Sequence, residues 1–361
     1  MAQGQQAAAG RPGVRVRQHT PAPEPAALSA PGGADAPGVW VFDRERGELE
    51  LEPIVAPRAL RWLYGGGWLG RAARALLRRR AVSRLWGWLQ DRPVSRRRLA
   101  RFIARAGVEL SEAELPLERY RTLNEFFSRR LRPGARPLDP DPDALLSPAD
   151  ARVLVCSPLD AEARLCVKGE SWQLAELLGE RALARQFAGG TAVVLRLAPA
   201  DYHRFHFPAD GVAGPARALP GGYDSVHPLA LAREPAVLCR NARQLTLLRT
   251  PRFGTIAMVE VGALLVGSIV QTYTPGPVER GAEKGYFRFG GSSIVLALEP
   301  GRLVLEDDLV QHSARGLETK LRMGTRLGRC APPGASRPRA GEGMAAADEE
   351  DGAACRGGCA G

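Results

Sequence analysis

The 361 residues suffice for one large domain or two smaller ones with a sizeable buried core, and 45% hydrophobic with 25% charged residues is an ordinary globular balance. Fifty lysines and arginines against 39 acids give a net charge of +11, which suits an anionic partner: nucleic acid, acidic lipid or an acidic substrate. A membrane-spanning helix is excluded, because the most promising stretch, Val261 to Val278, is interrupted by Gln271, Thr272, Thr274, Pro275, Gly276 and Pro277.

Residues 1–38 are rich in Ala, Gly, Pro and Gln without apolar periodicity and read as a disordered segment; they carry neither a secretory signal nor a clear organelle address. The tail 331–361, with its acidic run at 348–351, reads the same way. Residues 39–137 form a basic part whose apolar residues recur at helical spacing from Ala59 to Leu131. Between Arg58 and Arg105 there are fourteen arginines and one acid, Asp91, interleaved with Trp62, Tyr64, Trp68, Trp86 and Trp88. That mixture fits a lipid headgroup layer, a nucleic acid, or a solvated basic face over core tryptophans. On its own it decides nothing.

From 138 to 330 the texture changes to short apolar runs broken by Gly and Pro. ARVLV (151–155), TAVVLRL (191–197), TIAMVEV (255–261) and SSIVLAL (292–298) read as strands of a mostly antiparallel sheet. The expected class is therefore α+β: an N-terminal helical, membrane-facing part packed on a β-rich catalytic domain. The six cysteines show no zinc spacing beyond the terminal Cys355 and Cys359, and nothing demands a disulfide.

Three segments carry chemistry. Two of only five histidines, His203 and His206, fall within DYHRFH (201–206), with no third metal ligand at a telling distance. GGSS (290–293) puts paired glycines and serines into a strand pattern that glycine ordinarily weakens. SPAD (147–150) places a carboxylate ahead of a strand. Asp150, a histidine and Ser292 would permit a nucleophilic triad.

Taken together, these segments resemble the phosphatidylserine decarboxylase family from about Trp40 to Gly328. LNEFFSRRLRPGARPL (123–138), SPAD, KGESWQLAELLG (168–179), RLAPADYHRFHFPADG (196–211), VGALLVGSI (261–269), KGYFRFGGSSIVLAL (284–298) and GLETKLRMGTRLG (316–328) carry the likeness. The resemblance implies a proenzyme that cuts itself between Gly291 and Ser292. Ser292 attacks the Gly291 carbonyl, and the ester is expelled by elimination to leave a pyruvoyl group at position 292. His206 is implied as the base that activates Ser292, oriented by Asp150. The pyruvoyl cofactor forms a Schiff base with the substrate amine and acts as electron sink while carbon dioxide leaves, giving phosphatidylethanolamine. His203 is the candidate for protonating the resulting carbanion.

The implied partner is phosphatidylserine in an anionic membrane surface, reached peripherally through the basic helices. The two processed chains are expected to stay together, the family suggests a homodimer, and no metal or nucleic acid is expected. Ala151, Leu264, Leu265, His227 and Ser293 depart from common family residues without removing a catalytic group. Two rival readings, an adaptor on an inactive scaffold and an ordinary serine hydrolase, both require the chain to stay whole.

Overall fold

The computed structural model describes residues 38–53, 57–65, 67–160, 164–167, 170–227, 230, 236–264, 268–290 and 292–332. The segments expected to be disordered lie outside them apart from their inner ends, and so do Gly291 and Leu265.

The chain is a mixed α/β protein built on an eleven-stranded sheet. From one edge its strands run Gly276–Val278, Gly211–Ala213, Arg243–Thr250, Gly254–Gly262, Ser292–Leu298, Thr191–Leu197, Ala151–Cys156, Glu318–Leu321, Gly38–Asp43 and Glu48–Pro53; Arg217–Leu219 also pairs with Arg243–Thr250. The pairing is antiparallel throughout except between Gly38–Asp43 and Glu318–Leu321. The four apolar runs singled out in the sequence are four of these strands, and they lie next to one another at its centre.

Their unbroken hydrophobicity has a simple cause: both faces of the sheet centre are covered. Val193, Leu195, Leu197, Ile294, Leu296, Ile256 and Met258 enter one buried cluster with Phe205, Phe207 and Leu145. The alternate residues Ala192, Val194, Val295, Ala297, Ala257 and Val259 enter another, closed by Leu174, Leu177 and Leu178 of a short helix and by Phe187.

The basic part does not begin as helix. Residues 38–53 form a hairpin that extends the sheet, because the apolar run VWVF and the alternating ELELEP flank a turn ending at Gly47, whose φ is +69°. The helices Pro57–Tyr64, Trp68–Leu77, Arg80–Gln90 and Leu99–Ala106 follow. The first two cross closely at Gly70, where a Cβ would fall 2.3 Å from the Trp62 carbonyl oxygen. No helix among the described residues is long and apolar enough to cross a membrane. Trp62, Trp68 and Trp88 are not core residues: they are 54%, 70% and 49% exposed.

One buried ionic network ties the hairpin to the sheet. Arg152 and Arg196 stand opposite each other on adjacent strands, an arrangement that repels unless carboxylates intervene. Arg196 donates to Glu318 and, at 2.8 Å, to Glu52 of the hairpin, while Arg152 pairs with Glu52 and Asp201. All five side chains are buried or nearly so. Removing one member leaves the others uncompensated. Arg196→Ala is therefore expected to cost about 3–5 kcal/mol in denaturant unfolding. Arg217→Ala, whose pair with Glu180 is half exposed, should cost less than about 1 kcal/mol in the same measurement.

Candidate active site

Ser292 opens a central strand, in register with Leu197 on one side and Gly262 on the other, and is fully buried. Two residues earlier, Gly290 has a φ of +141°, a backbone state that L side chains rarely adopt. The glycine-serine pattern thus marks a strand beginning directly after a glycine bend.

Past Leu197 the chain turns back over this point. The Asp201 carboxylate accepts the Ala198 N–H at 2.6 Å, and Arg129 donates from Nη2 to the Ala200 and Asp201 carbonyls at 3.1 and 3.4 Å. The turn delivers His203, whose Nδ1 lies 3.3 Å from Ser292 Oγ and whose Nε2 lies 3.0 Å from the Ala198 carbonyl oxygen. Only a protonated nitrogen can face a carbonyl, so the proton sits on Nε2. Nδ1 is then free to accept from the serine hydroxyl. The Phe127 ring is stacked on the imidazole at 3.9 Å between centroids.

His206 ends the short strand Arg204–His206 and is joined by its backbone N–H to the Pro148 carbonyl at 2.8 Å, which brings the SPAD turn beside it. Its Nδ1 is buried without a hydrogen-bond partner. Asp150 is fixed from elsewhere: Arg136 grips it with two nitrogens, at 2.8 and 2.6 Å, and the Met323 N–H donates to it at 2.8 Å. The structure therefore brings together Ser292 with His203, and the Asp150 turn with His206. The ring hydrogen-bonded to Ser292 is His203, whereas the family motif assigns that serine to His206.

Electrostatics separates the two histidines. Burial pushes His203 down to about 3, and the Arg129 and Arg152 cations push the same way. Burial pushes His206 down to about 4, but the Glu283 and Asp150 carboxylates oppose it. Both rings are neutral at pH 7. His203 feels cations alone, whereas His206 feels two carboxylates, Glu283 and Asp150, against the Arg204 cation.

Several residues around the site went unassigned in the sequence. Arg129 and Arg136 lie in the LNEFFSRRLRPGARPL segment, which carried the likeness without individual roles. Lys284 and Glu260 form a fully buried pair at 3.0 Å, completed by Gln271, which fastens the strand Glu283–Phe287 to the sheet. Neither residue belongs to a charge pattern, so no signal pointed to them. Leu264, one of the departures from the common family residues, packs against the cluster of Leu63, Tyr64 and Ala230.

A buried serine after a glycine bend, faced by a neutral imidazole, with a second imidazole whose Nδ1 has no partner and a fixed carboxylate nearby, is equipment suited to serine-based chemistry. Comparison with known proteins agrees. A sequence model of the family "Phosphatidylserine decarboxylase" matches residues 123–329. The chain is 39% identical over 295 residues to the phosphatidylserine decarboxylase proenzyme of Ruminiclostridium cellulolyticum, covering 81% of this chain and 98% of that one. It is 38% identical over 288 residues to the Desulfitobacterium hafniense proenzyme, covering 80% and 97%. With the Chlamydia trachomatis proenzyme it shares 41% identity over 289 residues, covering 80% and 96%. The chain belongs to the phosphatidylserine decarboxylase family, a family of carboxy-lyases.

The two lowered histidines make stability depend on pH. Each binds a proton near pH 6.5 when unfolded but only near about 3 or about 4 when folded, so stability present above pH 6.5 is lost as the pH falls toward those values. The expected slope is at most about 1.4 kcal/mol per pH unit for each ring. It would be read from melting temperatures between pH 7 and 4, and His206→Gln should flatten it.

Proposed function

We propose that this chain cuts itself between Gly291 and Ser292, carries a pyruvoyl group at position 292, and decarboxylates phosphatidylserine at an anionic membrane surface. The observation that carries this reading is the placement of Ser292: fully buried, first in its strand, and hydrogen-bonded to an imidazole in the accepting tautomer.

In the cut, the Ser292 hydroxyl adds to the Gly291 carbonyl and the peptide C–N bond gives way to an ester. Loss of the Ser292 α-proton expels the Gly291 carboxylate. Water then enters the dehydroalanine left behind, and its nitrogen leaves as ammonia. The base for these steps becomes an imidazolium, so its surroundings decide which histidine serves. His206 has carboxylates to stabilise that cation, and its Nδ1 is open. His203 would have to become a cation, fully buried, beside Arg129. We assign proton removal to His206 with Asp150 beside it. His203, facing position 292, then holds the hydroxyl in the precursor; after the cut its freed Nδ1 takes up a solvent proton against the substrate's negative charge and passes it to the carbon that loses the carboxyl group. The pyruvoyl group supplies the electron sink for decarboxylation. The surroundings fit it, since position 292 is fully buried and faces a polar nitrogen.

The strand Ser292–Leu298 lies between Gly254–Gly262 and Thr191–Leu197, both N-terminal to the cut, so the sheet itself supports continued association of the two products. The helical part supports the membrane reading. Trp62, Trp68, Leu69, Leu76, Leu85 and Trp88 are all about half exposed or more, amid arginines such as Arg71 and Arg78.

Intact mass under denaturing conditions tests the chemistry. Wild-type protein should give chains 1–291 and 292–361, the second with a pyruvoyl N-terminus, while Ser292→Ala, His206→Ala and Asp150→Ala stay whole. His203→Ala should still be cut yet release little carbon dioxide from phosphatidylserine. A folded wild-type chain that remains uncut would overturn the reading. On vesicles containing anionic lipid, Arg71→Ala with Arg78→Ala should weaken binding about thirtyfold, at about 1 kcal/mol per arginine.

A further inference from the structure

The residues just ahead of the cleavage point are anchored one after another. The Phe287 N–H donates to the His203 carbonyl at 2.9 Å, and the Arg288 N–H to the Ser268 carbonyl at 3.0 Å. The Phe289 N–H donates to Asn124 Oδ1 at 2.7 Å. Asn124 is buried on the helix Leu123–Phe127. Its Nδ2 donates in turn to Asp91 Oδ1 at 2.9 Å and to the Gly87 carbonyl at 3.3 Å. Arg288 closes the ring by reaching Asp91 Oδ2 at 3.0 Å, and the Phe289 ring rests against Phe127 and Phe102.

Only two residues separate Phe289 from Ser292, and both are glycines. Glycine has the most backbone freedom of any residue, so a Gly-Gly link cannot hold its own carbonyls in place. The position of the Gly291 carbonyl relative to the Ser292 hydroxyl must be set by the anchors at the two ends. The sheet register fixes one end, and Asn124 fixes the other. An error of about 1 Å in such an approach costs on the order of a hundredfold in rate.

We propose that Asn124, braced by Asp91, is a positioning residue for self-cleavage. It holds the two-glycine link so that the Gly291 carbonyl meets the Ser292 hydroxyl. This rests on cleavage at Gly291–Ser292. Asn124, Asp91 and Phe289 all fall in the same product chain, so the clamp survives the cut.

The test is the rate of conversion from one chain to two, followed by intact mass in full-length protein after synthesis in a cell-free system. Asn124→Ala should slow cleavage about a hundredfold. Asn124→Asp keeps the acceptor for the Phe289 N–H but sets a carboxylate against Asp91, and it too should be slow. Exchanging the two side chains, Asn124→Asp together with Asp91→Asn, restores a donor opposite an acceptor and should recover most of the wild-type rate. Uncut Asn124→Ala melting at the same temperature as Ser292→Ala would separate this from a merely structural role, which would lower that temperature. Asn124→Ala cutting as fast as wild type, or a folded exchange variant remaining slow, would overturn the clamp while leaving the cleavage site intact. A wild-type chain that never cuts would instead remove the cleavage reading itself.

Discussion

The structure depends on one constraint: the Ser292 hydroxyl is kept from water while its own backbone is held in register between Leu197 and Gly262. A serine that attacks the preceding carbonyl competes with every water that could reach it, and its geometry is set by backbone rather than by rotamer. Only a strand at the centre of a sheet covered on both faces meets both requirements. The clusters around Val193–Leu195–Leu197 and around Val194–Val295 therefore serve the chemistry as well as stability. They exclude solvent from the start of the strand, and they leave its register no alternative, because a slip by one residue would exchange the two buried faces.

Burial on that scale imposes an electrostatic condition. Every ionisable group near the site must be neutral or paired. The histidines are neutral, with their acid–base range pushed well below pH 7. Apart from Arg129, which is held by the Ala200 and Asp201 carbonyls, the arginines and carboxylates are paired: Arg136 with Asp150, Arg152 with Asp201 and Glu52, Arg196 with Glu52 and Glu318. The pairing is also positional. Asp201 caps the turn that delivers His203, so the hairpin residue Glu52, remote in sequence, is linked through Arg152 to the turn that sets the imaging of one ring on Ser292.

The sheet centre was legible in the sequence because strands buried on both faces leave uninterrupted apolar runs, and the four runs read there are four adjacent strands. The edges were less legible. The apolar run 39–42 and the alternation in 48–53 were overshadowed by the arginine-rich helices that follow, and the hairpin was absorbed into the helical part. The histidine motif and GGSS stood out as rare residues in unusual surroundings, and the fold sets His203 beside Ser292. Which imidazole touches the serine did not follow from the motif, because that depends on how the turn 198–203 folds back, and Asp201 and Arg129 decide it through contacts distant in sequence. Lys284–Glu260 left no trace either: a buried ion pair made across strands has no sequence period.

The helical part touches both ends of the problem. Its outer side carries Trp68 and Trp88 into solvent, while the end of the helix Arg80–Gln90 and the Asp91 that follows it reach inward to Asn124 and the link before Ser292. A surface built only for lipid would need no buried amide facing the sheet, and a brace built only for the link would need no exposed tryptophans. Trp88 and the Gly87 carbonyl are neighbours on the helix Arg80–Gln90, so one helix joins the lipid-facing surface proposed for this protein to Asn124, which holds the Phe289 N–H. The glycines gain meaning from this arrangement. In the clamp proposed above, they leave the accuracy of the reaction to Asn124 and to the sheet.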